Sequence, residues 1–145
     1  MSDVIEPPAA RRPEEALELV SQALSDGDLE AALAQYEKGA LLAYWPGAVD
    51  GTIRQALTSV MALRLPVYVR IATVLEAGEL ALVICERRIA GTGPDDEQVQ
   101  LSGHGCAVLR PQPDGAWRIA ADAWRVGTEV PLDPEPGART RIRSE

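Results

Sequence analysis

The sequence predicts an α+β fold, with helices gathered ahead of a mostly antiparallel sheet. Three observations predict it. Apolar residues recur at helical spacing up to Pro66, and strand-like alternation takes over after it. Gly- and Pro-rich turns then divide the second half into four runs joined by short connections. Helices segregated from an antiparallel meander define the class.

The elements follow in order. Pro13 suits a first helical turn, and Glu14 and Glu15 complement the helix dipole. Leu17, Val20 and Leu24 then share one face, and Gly27 ends the helix. Asp28 reads as the N-cap of a second short helix, "DLEAALAQY". "ALLAYW" reads as a strand closed by "PGAVDG", and "TIRQALTSVMAL" as a third helix stopped before Pro66. "VYVRIATVLE" and "ELALVICERRIA" flank an Ala77-Gly78 turn. "GTGPDDE" and "PQPDG" separate these from "QVQLSGHGCAVLR" and "AWRIAADAWRV". The polar, Pro-containing ends, residues 1–12 and 129–145, read as a disordered and a flexible tail around a domain at 13–128.

Composition narrows the function. At 145 residues the chain has the length of one domain. With no Phe, three Trp and three Tyr, its core must be largely aliphatic. A net charge of −8 argues against binding nucleic acid or an anionic membrane. No apolar run approaches the roughly 20 residues of a membrane span. The N-terminus "MSDVIEPPAARRPEE" lacks the apolar segment of a secretory signal, so a cytoplasmic protein with reduced thiols is expected. Cys85, Cys106 and the single histidine, His104, cannot close a zinc site without carboxylates, and no metal or other cofactor is expected.

Four stretches carry a resemblance: "ALSDGDLEAALAQYEKGALLAYWPG", "VLEAGELALV", "GTGPDDEQVQLSG" and "VLRPQPDGAWRI". Together, over residues 14 to 128, they resemble the SnoaL-like group of the nuclear-transport-factor-two-like, or ketosteroid isomerase-like, superfamily. The resemblance implies a cone-shaped, cystatin-like fold: a curved sheet wrapped on three N-terminal helices around an internal cavity, often dimeric. It leaves function open, because the scaffold hosts isomerases, cyclases, hydrolases, dehydratases and non-catalytic modules. It also implies that the isomerase's catalytic Tyr falls near Val20, its base at Tyr44 or Trp45, and its second Asp near Gly105, so none of the three is retained. The Asp that this superfamily commonly carries before its first strand is replaced by Gly39.

Matching apolar with apolar sets an expected register. Leu109 falls opposite Trp117, Ala107 opposite Ile119, Gly105 opposite Ala121 and Gly103 opposite Ala123. Leu82, Ile84 and Glu86 then share that inward face. On the outer face Cys85, His104 and Asp122 form a row with the ingredients of a catalytic triad, although a sheet or dimer contact is the simpler account. The small residues Gly103, Gly105, Ala121 and Ala123 suggest a cleft for a small apolar organic ligand. Leu82 and Ile84 would line it, with Tyr44 and Trp45 at its mouth. Glu86 would be its acid or base, or else a rim carboxylate paired with Arg88 or solvent. Two functions stay open: proton-transfer chemistry of isomerase, cyclase or hydratase type, or a non-catalytic ligand-sensing or dimerisation module. The resemblance implies a homodimer through the outer sheet face.

Overall fold

A computed structural model describes residues 7–45 and 52–125, excluding the side chains of Tyr44, Trp45 and Arg125. Helices α1 (Pro13–Asp26) and α2 (Leu29–Leu33) lead into strand β1 (Tyr36–Trp45), and α3 (Ile53–Met61) follows. Strands β2 (Val67–Ala77), β3 (Leu80–Thr92), β4 (Gln98–Pro111) and β5 (Trp117–Arg125) complete the elements of the described residues. The expected order holds, except that the second helix is shorter and the first strand begins earlier, at Tyr36. Of the described residues, no helix is long and apolar enough to cross a membrane.

Local chemistry accounts for the helix ends. Gly27 adopts φ 75°, the left-handed geometry that closes α1. Asp28 Oδ1 accepts from the Ala31 N–H at 3.1 Å and starts α2. Thr52 and Gln55 exchange reciprocal bonds of 3.1 and 3.2 Å that start α3.

The sheet has the order β1-β5-β4-β3-β2, and only the β1–β5 pair is parallel. One face is covered by α1, whose Ala16, Leu17, Val20 and Leu24 are buried. Opposite them lie Ala81, Val83, Ile89, Ala107, Leu109 and Ile119, all buried. The Ser21 and Ser25 hydroxyls donate to the Val67 carbonyl, and Ser25 Oγ accepts from the Val67 N–H at 2.9 Å. These contacts bind α1 to the start of β2.

Residues 7–12, expected within a tail, run in along the sheet. Ala10 is fully buried, and its carbonyl accepts from the Trp117 N–H at 2.9 Å. Gln35 Nε2 donates to the Pro8 carbonyl at 2.8 Å. Met1 to Glu6 and residues 126–145, which include the expected C-terminal tail, lie outside the described residues.

The β4–β5 register is shifted by two residues from expectation, with Trp117 opposite Pro111 rather than Leu109, and the sheet departs in two further places. Leu109 pairs with Ile119, but Val108 pairs with Ala121, so Ala120 is a bulge residue. Beyond that bulge every β5 side chain is on the opposite face from the one expected. Asp122 and Trp124 point inward and are buried, while Ala121 and Ala123 point outward. In β3, Ala81 pairs with Leu109, which puts Leu82, Ile84 and Glu86 on the face opposite to the one expected. Val83, Cys85 and Arg87 therefore point inward, and Leu82, Ile84 and Glu86 outward.

The outer face carries a continuous apolar row, Leu75–Leu82–Val108–Ala121–Leu41, across all the strands. Among the described residues, the large hydrophobic side chains that remain exposed, Leu41, Tyr68, Leu75, Leu80 and Ile84, all lie on this face.

Candidate functional site

Consecutive arginines in a strand must face opposite ways. In β3, Arg88 is exposed, and Arg87 is driven into the interior with its side chain 3% exposed. Its partner is Asp122, the one acidic residue of β5, whose side chain is 0% exposed. Nη1 and Nη2 of Arg87 donate to Oδ1 at 3.3 Å each, and Nη2 also reaches Oδ2 at 3.2 Å.

Two further donors meet the same carboxylate. The Tyr36 hydroxyl, from the start of β1, donates to Oδ2 at 2.9 Å. The Trp124 indole N–H donates to Oδ2 at 2.7 Å, from two residues along the same face of β5. The Arg87 guanidinium also stacks on the Trp124 ring, 4.1 Å from its centroid.

Gly105 of β4 makes room for this cluster. A Cβ there would lie 2.5 Å from Arg87 Nη1, 3.0 Å from the Ala123 carbonyl oxygen and 3.2 Å from Cys85 Sγ. The volume this glycine omits is filled by the arginine, not left as an open cleft.

Burial orders the protonation states. Burial pushes the Tyr36 hydroxyl well above its ordinary pKa, and the adjacent Asp122 charge adds to the effect, so Tyr36 stays a donor. Burial is the largest single influence on Arg87 and acts to lower its pKa, but the charge and hydrogen bonds of Asp122, with Cys85 and Tyr36, together turn the net shift upward. Arg87 is therefore a permanent cation. Burial also raises the thiol of Cys85 and, on the outer face, that of Cys106, which makes both poor nucleophiles at neutral pH.

The structure disperses the residues singled out in the sequence. Glu86 sits on the outer face in a forked pair with Arg70, at 2.8 and 3.0 Å, not with Arg88 and not in the interior. Leu82, Ile84, Ala121 and Ala123 share that outer face. Gly103 lies opposite Arg87 and is half-buried, so it and Gly105 are the two of the expected cleft residues beside the inner cluster. Tyr44 and Trp45 pair by backbone with Trp124 and Arg125, and their side chains lie outside the described residues. The Cys85–His104–Asp122 row does not form. Cys85 and Asp122 face inward, while His104 is exposed opposite Glu86.

Sequence reasoning missed Arg87 and set Asp122 on the wrong face of the sheet, and it missed the roles of Tyr36 and Trp124. A signal for the first two was present: "ERRIA" forces one arginine inward, and the single acid in "RIAADAWR" is the natural counter-ion.

The arrangement is suited to holding rather than to removing protons. Asp122 already accepts from Arg87, Tyr36 and Trp124, which leaves its oxygens occupied by donors within the protein. Among the described residues no group of three or more His, Cys, Asp or Glu side chains converges as a metal site would. At the β4–β5 turn, a separate open pocket of about 380 Å³ is lined by Pro7, Pro8, Gln35, Asp114, Trp117 and Arg118, among others.

No family model and no curated protein matches the chain. Solved structures do. A ketosteroid isomerase-like protein from Erwinia carotovora atroseptica matches with a TM-score of 0.63 at 17% identity, covering 77% of this chain and 90% of that one. A proposed dehydratase of the NTF2-like family from Streptomyces avermitilis matches with a TM-score of 0.62 at 19% identity, covering 76% and 89%. An NTF2-like protein with a cystatin-like fold from Novosphingobium aromaticivorans matches with a TM-score of 0.59 at 19% identity, covering 75% of each. The chain has the NTF2-like, cystatin-like fold of these neighbours, as the sequence resemblance implied.

Proposed function

We propose that the interior of the cone binds a small organic molecule, with the Arg87–Asp122 cluster as its polar anchor. The observation that carries this reading is the cluster itself. Among the described residues a largely aliphatic interior holds one buried ion pair, and two further donors converge on it. Replacing a buried pair by apolar residues of similar volume is often neutral or stabilising, so its presence calls for a role other than stability. Convergent polar groups within apolar walls are the usual signature of a ligand site. The likeness in fold to an isomerase-like protein and a proposed dehydratase supports a compartment of this kind.

Binding is favoured over proton transfer. The expected acid, Glu86, lies on the outer face, and the inner carboxylate is saturated with donors. A thermal-shift screen against a metabolite panel tests the reading, using wild type and an Arg87→Met/Asp122→Leu variant. A ligand that binds the native state raises its midpoint. Ligands that act through the cluster should shift wild type and not the variant; equal shifts in both would place the site elsewhere.

The outer face favours a second, compatible reading: a homodimer packed face to face. Its support is the apolar row across the whole sheet and the concentration of exposed Leu, Ile and Tyr on that one face. Sedimentation velocity should show a dimer that Ile84→Asp converts to monomer. A wild-type monomer at tens of micromolar would remove the reading.

A further inference from the structure

The inner cluster has more donors than it spends. An arginine offers more N–H bonds than one carboxylate can take in a single orientation. Nη1 and Nη2 of Arg87 are committed to Asp122, but Nε makes no hydrogen bond among the described residues. No fully buried side-chain nitrogen or oxygen among those residues lacks a partner. Nε therefore keeps a narrow contact with space that a water molecule reaches, on a side chain that is 3% exposed. The acceptor side is exhausted, because Asp122 already takes donors from Arg87, Tyr36 and Trp124.

The charge of the cluster is balanced: one guanidinium against one carboxylate, with Tyr36 held neutral. A second carboxylate brought beside Arg87 would also approach Asp122. Inside a low-dielectric interior that leaves one uncompensated negative charge, which is expensive to bury. An uncharged carbonyl or amide oxygen meets the same N–H without that penalty. Resting on the reading of the interior as a ligand compartment, we propose that the Arg87–Asp122 pair is a charge filter. It selects uncharged molecules that present an acceptor oxygen to Arg87 Nε and rejects their anionic counterparts.

The filter has a built-in inversion. Asp122→Asn keeps the shape of the side chain but leaves Arg87 uncompensated, so an anion becomes the preferred occupant. The test uses benzamide and benzoate, matched in shape and differing in charge, titrated into the full chain. The readout is the indole N–H resonance of Trp124, which sits on Asp122. Wild type should bind benzamide about tenfold more tightly than benzoate, and Asp122→Asn should reverse the order.

Benzoate binding to wild type as tightly as benzamide would overturn the filter and leave the compartment standing. If neither probe moved the Trp124 resonance in either protein, the compartment and the filter would both fall. Should Asp122→Asn not fold, the wild-type comparison decides alone. Arg87→Met/Asp122→Leu, which lacks the donor, must then also lose benzamide.

Discussion

Asp122→Ala should cost about 3–5 kcal/mol of unfolding free energy, read from urea denaturation curves. The carboxylate it removes is fully enclosed and is the counter-ion of an equally enclosed guanidinium. Three consequences act together. Arg87 keeps its charge in a low-dielectric interior without a partner, the Tyr36 hydroxyl and Trp124 indole lose their acceptor, and a small cavity opens between them. The double variant Arg87→Met/Asp122→Leu should recover most of the loss, because it removes the stranded charge along with its partner. A loss under about 1 kcal/mol for Asp122→Ala would show that water enters the cluster and solvates the arginine.

Gly105→Ala should cost about 1–3 kcal/mol, although it adds a single methyl group. The new carbon would sit 2.5 Å from Arg87 Nη1, and the guanidinium is held there by Asp122 on one side and the Trp124 ring on another. The second obstacle, the Ala123 carbonyl oxygen at 3.0 Å, is backbone and yields less easily. The cost should therefore fall by about half in the Arg87→Met/Asp122→Leu background, where the first obstacle is gone. If the two sets of substitutions proved additive, Arg87 would not be the group that requires a glycine at this position.

The order of elements is legible in the letters because it rests on periods that differ clearly. Leu17, Val20 and Leu24 repeat at helical spacing, and the runs after Pro66 alternate. The cap at Asp28 is also local, so its partner lies within three residues. The faces of the strands are not legible in the same way. Along Leu80–Cys85 nearly every residue is apolar, so alternation cannot say which set is inside, and pairing the largest with the largest puts Leu82 and Ile84 in the wrong layer. Alanine supplies the second failure. In "IAADAW" nothing distinguishes Ala120 as the residue that bulges, yet that single step carries Asp122 and Trp124 from the outer face to the inner one. The candidate site was missed for this reason, and not because its residues lacked chemical character.

The two edge strands also constrain how these molecules can meet. β1 takes five steps from Tyr36 to Leu41 while β5 takes two, from Ile119 to Ala121, and Gly39 turns through φ 80° on the way. At the far edge, Ala72 interrupts the pairing of β2 between Ile71 and Thr73. A foreign strand laid along either rim finds its ladder of amides and carbonyls broken within a few residues. Growth by strand addition, the route to fibrils and runaway polymers, is obstructed at both ends. Association is left with the broad surfaces, where a contact made once is satisfied and the assembly stops.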